Sequence, residues 1–288
     1  MLKKYLGEVM IFVVTLIGAS GWFLSKYSME ELPPIGFIGL RFFLAFLLFL
    51  PFALPQLTHL NKPQILRASA VGFANILNIV LWVLGLIHST HLGEGAFLVS
   101  LAMLIAPLLS WLLFQHKPPK LFALSLPIAV LGLYWLSAEK GAFQFSLGSI
   151  IFLCSSLAAA LYFVLNNQFV KNVPALALTT VQLGMIGICC GVYSYFMESW
   201  PTQISPHIWG WFAGSVLLAT NVRVLLQTVG QKYCDVTNAA IIMLLEPVWT
   251  LWLSVLILSE PLSWQKILGC VCILSALVIY RLPYLIKK

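Results

Sequence analysis

Long apolar stretches separated by short polar segments make up almost the whole of this chain. Each stretch is close to the roughly 20 residues that a helix needs to cross the hydrocarbon core of a bilayer. The stretches end where prolines, charged residues or polar clusters interrupt the apolar run. The pattern predicts ten membrane-spanning helices, at residues 6–26, 34–55, 65–88, 91–115, 119–138, 146–168, 174–197, 207–230, 236–258 and 263–285.

The composition excludes a water-soluble protein. Of the 288 residues, 61% are hydrophobic and 9% are charged, whereas a soluble domain has roughly 25% charged residues. The predicted fold class is therefore an all-α integral membrane protein, with the lipid bilayer as its surroundings. The net charge of +7 does not indicate a nucleic-acid partner, because the basic residues lie mostly in short loops between apolar stretches.

The distribution of lysine and arginine predicts the orientation of the chain in the membrane. If the N-terminus lies inside, the inner loops and tails hold eleven basic residues and the outer loops hold three. Basic residues are enriched in cytoplasmic loops. We therefore expect both termini to be cytoplasmic, in a multi-pass protein of the bacterial inner membrane.

No motif in the sequence indicates an enzyme, a metal site or an ATP-driven pump. The six cysteines lie within or beside apolar stretches, without a CxxC pair. There is no HExxH or GxSxG motif and no nucleotide-binding loop. We expect neither a cofactor nor catalytic activity. A channel is disfavoured as well, because a channel predicts like charges along its pore, and the charges within these spans are of mixed sign.

A weak internal repeat appears at an offset of 143 residues. It divides the chain into residues 1–142 and 143–288, each with five predicted spans. Because five is an odd number, the two halves must have opposite orientations in the membrane. Inverted repeats are typical of secondary transporters, which bind substrate near mid-membrane between the repeats. The matched positions are Asn78 with Asn221, Ala96 with Ala239, Lys117-Pro118 with Glu260-Pro261, and Gly132 with Ser275.

The charged residues within the predicted spans include two arginines and two glutamates that could pair across the membrane interior. By depth, Arg41 could pair with Glu94, and Arg223 with Glu246, which precedes Pro247. An arginine and a glutamate that neutralise each other are less costly in a membrane than either charge alone. Two interpretations remain open: structural ion pairs, or charges that contact a charged or zwitterionic substrate.

Neutral polar residues extend the candidate site. Asn75 and Asn78 are three residues apart and share a helix face, which Trp82 extends. Asn221, Arg223 and Gln227 form a denser group on the eighth span, which favours cavity lining. The fifth and tenth spans carry almost no polar residues, which predicts that they lie outside the polar centre. Gly187-x-x-x-Gly191 and Gly210-x-x-x-Gly214 predict close helix contacts, with a homodimer face as an alternative.

Several local motifs resemble those of the drug/metabolite transporter superfamily, in its ten-helix EamA-like branch. They are Gly21-Trp22, Arg41-Phe42, the Pro107 helix that leads to Lys117-Pro118, and Glu246-Pro247 followed by Leu258-Ser259-Glu260-Pro261. The resemblance covers essentially the whole chain. It departs from the family pattern at Lys117, where the repeat would place a glutamate.

The resemblance implies a central cavity built from helices 1–4 and 6–9, with helices 5 and 10 outside, and alternating access by rocking of the two halves. We predict a secondary active transporter of a small polar or zwitterionic metabolite, an amino acid or a derivative; the alternative is a multidrug or lipophilic-cation exporter. A proton or a counter-substrate would be the coupling partner, and the protein would be a monomer or a homodimer. The candidate substrate-binding residues are Arg223, Glu246, Asn221, Gln227, Asn78, Asn75, Arg41 and Trp82.

Overall fold

The computed structural model describes residues 2–88, 98–137, 146–259 and 262–286, and in these residues the only regular structure is helical. The predicted all-α class is therefore confirmed. Each of the ten helices of the described chain overlaps one of the ten predicted spans, and residues 91–97 of the fourth span lie outside the described residues. The helices are α1 (Leu2–Ser28), α2 (Pro34–Leu57), α3 (Lys62–His88), α4 (Ala102–Phe114), α5 (Lys120–Ser137), α6 (Leu147–Phe169), α7 (Ala175–Met197), α8 (Pro206–Tyr233), α9 (Val236–Leu258) and α10 (Trp264–Ile286).

Two of these helices are irregular near their middle. Helix α8 is α-helical over Pro206–Val216, π-helical over Leu217–Val222 and α-helical again over Arg223–Tyr233. We call the segment Leu217–Val222 the π-turn. Helix α9 is broken by a turn between Val236–Met243 and Glu246–Leu258.

Seven helices in the described residues are long and apolar enough to cross a membrane: α1, α2, α3, α6, α7, α8 and α9. In α4, α5 and α10 the apolar helical stretches are shorter: Leu98–Phe114, Lys120–Trp135 and Trp264–Tyr280. Length and composition therefore support membrane insertion for seven of the ten predicted spans, and each of the other three contains a shorter apolar helical stretch.

The helices pack in pairs, with the most extensive contacts between α2 and α7, α3 and α6, α5 and α10, and α1 and α8. Glycines bring α2 and α7 together. A Cβ atom on Gly187 would lie 2.5 Å from the backbone nitrogen of Phe43, and one on Gly39 would lie 2.5 Å from that of Gly191. The close contact predicted for Gly187-x-x-x-Gly191 is therefore confirmed. A Cβ atom on Gly210, in contrast, would have no neighbour within 4 Å.

Helices α5 and α10 pack mainly on each other, and α10 also contacts α9. They join the rest of the bundle through an apolar cluster that includes Leu133, Ile273, Leu244 and Val248. At one end, the Tyr280 hydroxyl donates a hydrogen bond to Asn238 Oδ1 at 2.8 Å. Helices α5 and α10 therefore lie at one side of the bundle, as predicted for helices that carry almost no polar residues.

The two ends of the bundle can be told apart by the helix termini that meet there. We call the end at which α1 begins the proximal end and the opposite end the distal end. At the proximal end, a Cβ atom on Gly7 would lie 2.8 Å from the carbonyl oxygen of Gly230, near the end of α8. At the distal end, Glu31 Oε2 accepts a hydrogen bond of 2.7 Å from the backbone of Ser205, just before α8 begins.

Two carboxylates bind helix N-termini at the distal end. Besides the contact of Glu31 with α8, Glu198 accepts hydrogen bonds from the backbone nitrogens of Ile35 (2.9 Å) and Gly36 (2.6 Å) in the first turn of α2. Free N–H groups and the helix dipole favour a negative charge there. Hydrogen bonds from the side chain and backbone of Ser205 lower the pKa of the Glu31 carboxyl, which lies in the loop between α1 and α2.

The proximal end is held by neutral amides. Asn166 Nδ2 donates to Gln231 Oε1, and Gln182 Nε2 donates to Asn166 Oδ1 at 2.8 Å. Asn167 Nδ2 donates to the carbonyl oxygens of Gln231 and Cys234, both at 2.8 Å. All four amide side chains are buried. We call Asn166, Asn167, Gln182 and Gln231 the amide network, and it joins α6, α7 and α8.

Candidate functional site

An ion pair joins α8 to α9 near the middle of the bundle. Arg223 Nη2 lies 2.7 Å from Glu246 Oε2, and the two side chains remain 28% and 16% exposed. The pairing predicted from depth and charge is therefore confirmed. The carboxylate offsets part of the cost of placing the guanidinium in an apolar bundle. The exposed fractions leave part of each charged group open to a ligand.

The break in α9 places Glu246 where a negative charge is favourable. Glu246 is the first residue of the second part of α9, and Pro247 follows it. Proline has no backbone N–H and is tolerated in the first turn of a helix. The positive end of the helix dipole therefore lies at the carboxylate. The turn that precedes it is closed by hydrogen bonds from the backbone nitrogens of Leu244 and Leu245 to Ile241 and Ile242.

The π-turn places Arg223 at the start of the last segment of α8. The Arg223 backbone N–H is shared between the carbonyl oxygens of Leu218 and Thr220. Thr220 Oγ1 donates to the Ser215 carbonyl oxygen at 2.9 Å, five residues back. Short π-helical segments often occur at functional sites, and this one immediately precedes the charged residue of the candidate site.

Glycines on α1 leave room for both the ion pair and the π-turn. A Cβ atom on Gly18 would lie 2.7 Å from Glu246 Cδ, and one on Gly21 would lie 2.8 Å from the Cβ atom of Ala219. Side chains at these two positions would displace the carboxylate or the π-turn. Gly18 and Gly21 therefore allow α1 to lie directly against the site.

An aromatic pair lies one helical turn further along α1. The rings of Trp22 and Trp82 are 6.0 Å apart at an interplanar angle of 72°, an edge-to-face geometry. Trp22 is 44% exposed. Because α1 and α3 run in the same direction, this contact places Gly18 and Asn78, each four residues earlier, at a similar depth in the bundle.

The two asparagines of α3 lie close together, as predicted from their spacing. Asn78 Nδ2 is 3.5 Å from Asn75 Oδ1, and Ser155 Oγ on α6 is 3.0 Å from the Asn78 carbonyl and 3.2 Å from its Oδ1. The hydroxyl of Ser155 thus binds α3 to α6. Asn75 is buried, and Asn78 is half-buried.

Asn221 lies on a different face of α8 from Arg223. Its Nδ2 atom contacts the Ala45 carbonyl oxygen on α2 at 3.4 Å, whereas Arg223 contacts α9. Residues two apart on a helix point in nearly opposite directions. Gln227 lies one turn after Arg223 and is buried. Among the candidate residues, the structure thus brings Arg223 to Glu246, Asn75 to Asn78, and Trp82 to Trp22, and it places Asn221 apart from the ion pair.

Arg41 is surrounded by the protein's own oxygen atoms. Its Nη1 donates to Ser25 Oγ at 2.8 Å, its Nη2 to the Ala219 carbonyl oxygen at 3.0 Å, and its Nε to Thr220 Oγ1. The rings of Phe37 and Phe42 lie 5.6 and 5.7 Å from its guanidinium carbon. The side chain is 8% exposed. The partner predicted for it, Glu94, lies outside the described residues.

The sequence candidates did not include Ser25 or Thr220. Both are small hydroxyl residues in apolar spans, and their only signal in the sequence is that each could accept a hydrogen bond from a buried arginine. The described residues contain no group of three or more His, Cys, Asp or Glu side chains placed to hold a metal ion.

Comparison with known proteins identifies the family. The profile of the EamA-like transporter family matches residues 5–138 and 146–282. The chain belongs to the EamA-like transporter family. Its predicted resemblance to the drug/metabolite transporter superfamily is thereby confirmed, and the family indicates transport rather than catalysis.

Relatives of this EamA-like transporter support the same conclusion. An uncharacterized transporter of Archaeoglobus fulgidus is 26% identical over 280 residues, which cover 97% of this chain and 87% of that protein. A second uncharacterized transporter of the same organism is 27% identical over 242 residues, covering 83% and 84%. A solved crystal structure superposes with a TM-score of 0.81 over 96% of both chains at 15% identity, which shows a shared fold.

Proposed function

We propose that this EamA-like transporter is a secondary active transporter of a small polar or zwitterionic metabolite, an amino acid or a derivative. The partly exposed Arg223–Glu246 pair is the observation that carries the proposal. A zwitterion offers one group to each member of the pair: its carboxylate to the fork of the arginine, and its ammonium to the glutamate. Substrate binding would then replace the internal ion pair with two charge-assisted contacts.

Neighbouring residues supply contacts for the rest of a small metabolite. Trp22 and Trp82 offer apolar ring surface one turn away along α1 and α3. Asn75 and Asn78 offer amide groups on the same face of α3 as Trp82. Transporter sites of this kind lie near mid-membrane between the two halves of the fold. The positions of the ion pair and the asparagines near the middle of their helices support such a site, and the tryptophans lie further toward the distal end.

The two halves, 1–142 and 143–288, would act as inverted five-helix repeats that move by alternating access. Under this correspondence α1 matches α6 and α3 matches α8, so the α1–α8 contact has the α3–α6 contact as its counterpart, and both are extensive. The family profile also matches each half once. The C-caps of α4 and α9, Gln115 and Ser259, are the two non-glycine residues with positive φ in the described chain, at 59° and 53°.

The proposed orientation places the proximal end in the cytoplasm of a bacterial cell. The excess of basic residues in loops and tails on that side, eleven against three, supports it. In this orientation the amide network lies on the cytoplasmic side, and the carboxylates of Glu31 and Glu198 lie on the outer side.

Export of lipophilic cations is the second candidate function. The observation that favours it is the exposed ring of Trp22, one turn along α1 from Gly18, which lies against Glu246. Aromatic faces and a carboxylate together attract organic cations. A lipophilic cation would need Glu246 and the two tryptophans, and it would gain nothing from Arg223.

Thermal unfolding of the purified protein in detergent tests the proposal. A ligand that binds only the folded state raises the melting temperature by mass action. The probes are zwitterionic amino acids, nucleosides and tetraphenylphosphonium. We expect at least one zwitterion to raise the melting temperature by several degrees in the wild type, and not in the double variant Arg223→Leu, Glu246→Leu, which leaves neither charge unpaired.

The other outcomes are equally informative. If a zwitterion stabilises the wild type and the double variant equally, the ion pair is not the binding site. If tetraphenylphosphonium is the only probe that stabilises the wild type, and it stabilises Arg223→Leu equally, cation export replaces the proposed function. Val80→Leu serves as the control, because this position precedes Arg223 by 143 residues in the proposed repeat and carries no charge.

A further inference from the structure

We propose that Arg41 is a positioning residue: it holds the π-turn of α8 in place, so that Arg223 stays opposite Glu246. The proposal assigns Arg41 no contact with substrate. It deepens the proposed function, because the residue that it positions belongs to the proposed binding pair, and its test uses no substrate.

The hydrogen bonds that the Arg41 side chain donates reach two neighbouring helices. The guanidinium comes from α2 and reaches Ser25 on α1 and both Ala219 and Thr220 in the π-turn. All three of its nitrogens therefore act as donors to oxygens of this chain. Ser25 Oγ in turn donates to the Gly21 carbonyl at 2.7 Å, next to the point where α1 touches Ala219. One side chain thus joins three helices at the π-turn.

A π-helical turn needs such support. In an α-helix each carbonyl accepts a hydrogen bond from the N–H group four residues later. In a π-helix the two groups are five residues apart, and π-helices rarely extend beyond a single turn. In this π-turn, Arg41 occupies the Ala219 carbonyl and the Thr220 hydroxyl, and that hydroxyl binds the Ser215 carbonyl. Arg41 therefore supplies hydrogen bonds that depend on the π-helical geometry.

The register of α8 links the π-turn to the ion pair. Arg223 is the first residue after the π-turn, and its backbone N–H binds two carbonyls within that segment. Successive residues of an α-helix are about 100° apart around its axis. If the π-turn rewound into α-helix, Arg223 would turn by about that angle and its side chain would leave Glu246. Holding the π-turn is therefore equivalent to holding the ion pair.

A simpler role is that Arg41 only fills a buried site and adds stability. The two roles differ in one measurable quantity, the energetic coupling between Arg223 and Glu246. A stabilising residue changes the melting temperature of the protein and leaves this coupling as it is. A positioning residue changes the coupling itself.

The test is a double-mutant cycle measured in two backgrounds. Melting temperatures in detergent are recorded for Arg223→Gln, Glu246→Gln and the double variant, first in the wild type and then with Arg41→Lys. In the wild type we expect the melting temperature of the double variant to fall by less than the sum of the falls in the single variants. Either single substitution already breaks the ion pair, so the second substitution cannot break it again. With Arg41→Lys, which keeps the charge but lacks the guanidinium fork, we expect this non-additivity to fall by at least half.

Thr220→Val provides a milder version of the same test. It removes the hydroxyl that accepts from Arg41 and keeps almost the same volume, so it carries the test if Arg41→Lys does not fold. Thr179→Val is the matched control. Thr179 is fully buried on α7, and its hydroxyl has no hydrogen-bond partner among the described residues. We expect Thr220→Val to reduce the coupling and Thr179→Val to leave it unchanged.

The outcomes separate this proposal from the proposed function. If the coupling between Arg223 and Glu246 is unchanged in Arg41→Lys or in Thr220→Val, Arg41 is only a stabilising residue. If the coupling falls as expected but no zwitterion stabilises the protein, the positioning role stands and the proposed substrate class does not.

Discussion

The α1–α8 contact and the α3–α6 contact are built alike and carry different chemistry. Each joins helices from opposite halves of the chain, and each has a glycine at a close approach: Gly21 faces Ala219 in the first, and Gly85 faces Phe152 in the second. Beside the first lie the ion pair and the π-turn. The second has a neutral hydrogen bond from Ser155 to Asn78.

In the proposed repeat, two similar helix contacts therefore do not carry the same site. The positions that precede Arg223 and Glu246 by 143 residues are Val80 and Met103, and both are apolar. In the proposed transporter, the second half would therefore supply the charges, and the first half would supply Trp82 and the asparagines. A zwitterion between the two halves would meet charge mainly on one side.

Removing one member of the ion pair should have the largest effect of the substitutions that probe this comparison. Arg223→Leu leaves the Glu246 carboxylate unpaired among apolar helices. Breaking a fully buried pair costs about 3–5 kcal/mol, and we expect about 2 kcal/mol here because both side chains are partly exposed. Val80→Leu, at the position of α3 that matches Arg223 in the proposed repeat, should cost less than about 0.5 kcal/mol.

Denaturant unfolding in mixed micelles measures both values. If Arg223→Leu and Val80→Leu lower the free energy of unfolding by similar amounts, the ion pair contributes no more to stability than an apolar side chain does.

A smaller effect is expected from a methyl group on the glycine that faces the carboxylate. Gly18→Ala places a Cβ atom 2.7 Å from Glu246 Cδ, which forces the carboxylate away from Arg223. Gly85→Ala places one at the same distance from the Phe152 ring, and such overpacking is also destabilising. The cost of Gly18→Ala depends on Glu246, and the cost of Gly85→Ala does not.

Combining each substitution with Glu246→Ala distinguishes them by melting temperature. In that background Gly18→Ala should lose most of its effect, because the clashing atoms are gone, and Gly85→Ala should keep its effect. If Gly18→Ala is equally costly with and without Glu246, α1 does not rest against the carboxylate.

The smallest effect concerns the caps of α8 and α3, which correspond to each other in the proposed repeat. Helix α8 begins at the carboxylate of Glu31, whereas α3 begins with the neutral pair Asn61 and Gln64. The pKa of Glu31 is lowered from its ordinary value of 4.5, chiefly by the Ser205 side chain. Its stabilising contact is thus complete above that value and is lost as the pH falls through the lowered pKa.

Melting temperatures between pH 6 and pH 3 test the Glu31 contact. The wild type should lose slightly more stability below the ordinary pKa than Glu31→Gln, which cannot titrate. Gln64→Glu, which introduces a carboxylate at the start of α3, should gain a similar pH dependence. Identical pH profiles for wild type and Glu31→Gln would rule out a stabilising role for the carboxylate.

Much of the fold follows from the periodicity of apolar residues. The predicted spans 207–230 and 236–258 differ from the observed helices Pro206–Tyr233 and Val236–Leu258 by at most three residues. The Arg223–Glu246 pair could be predicted as well, since opposite charges at similar depth in adjacent spans have few other partners.

The π-turn could not be predicted, because an extra residue in a helix leaves the apolar pattern on both sides intact. The partners of Arg41 could not be predicted for another reason. Ser25 and Thr220 lie on α1 and α8, and tertiary packing brings them to α2. The sequence pattern groups Asn221 with Arg223, but the structure places them apart. Residues two apart on a helix face different neighbours.

The amide network at the proximal end consists of groups that neither gain nor lose a proton in the physiological range. Its hydrogen bonds between Asn166, Asn167, Gln182 and Gln231 carry no net charge for dissolved salt to screen. Contacts between helices that are made in this way keep the same strength in acidic and alkaline media and in fresh or saline water. Any response of the transporter to acidity must therefore begin in another part of the molecule.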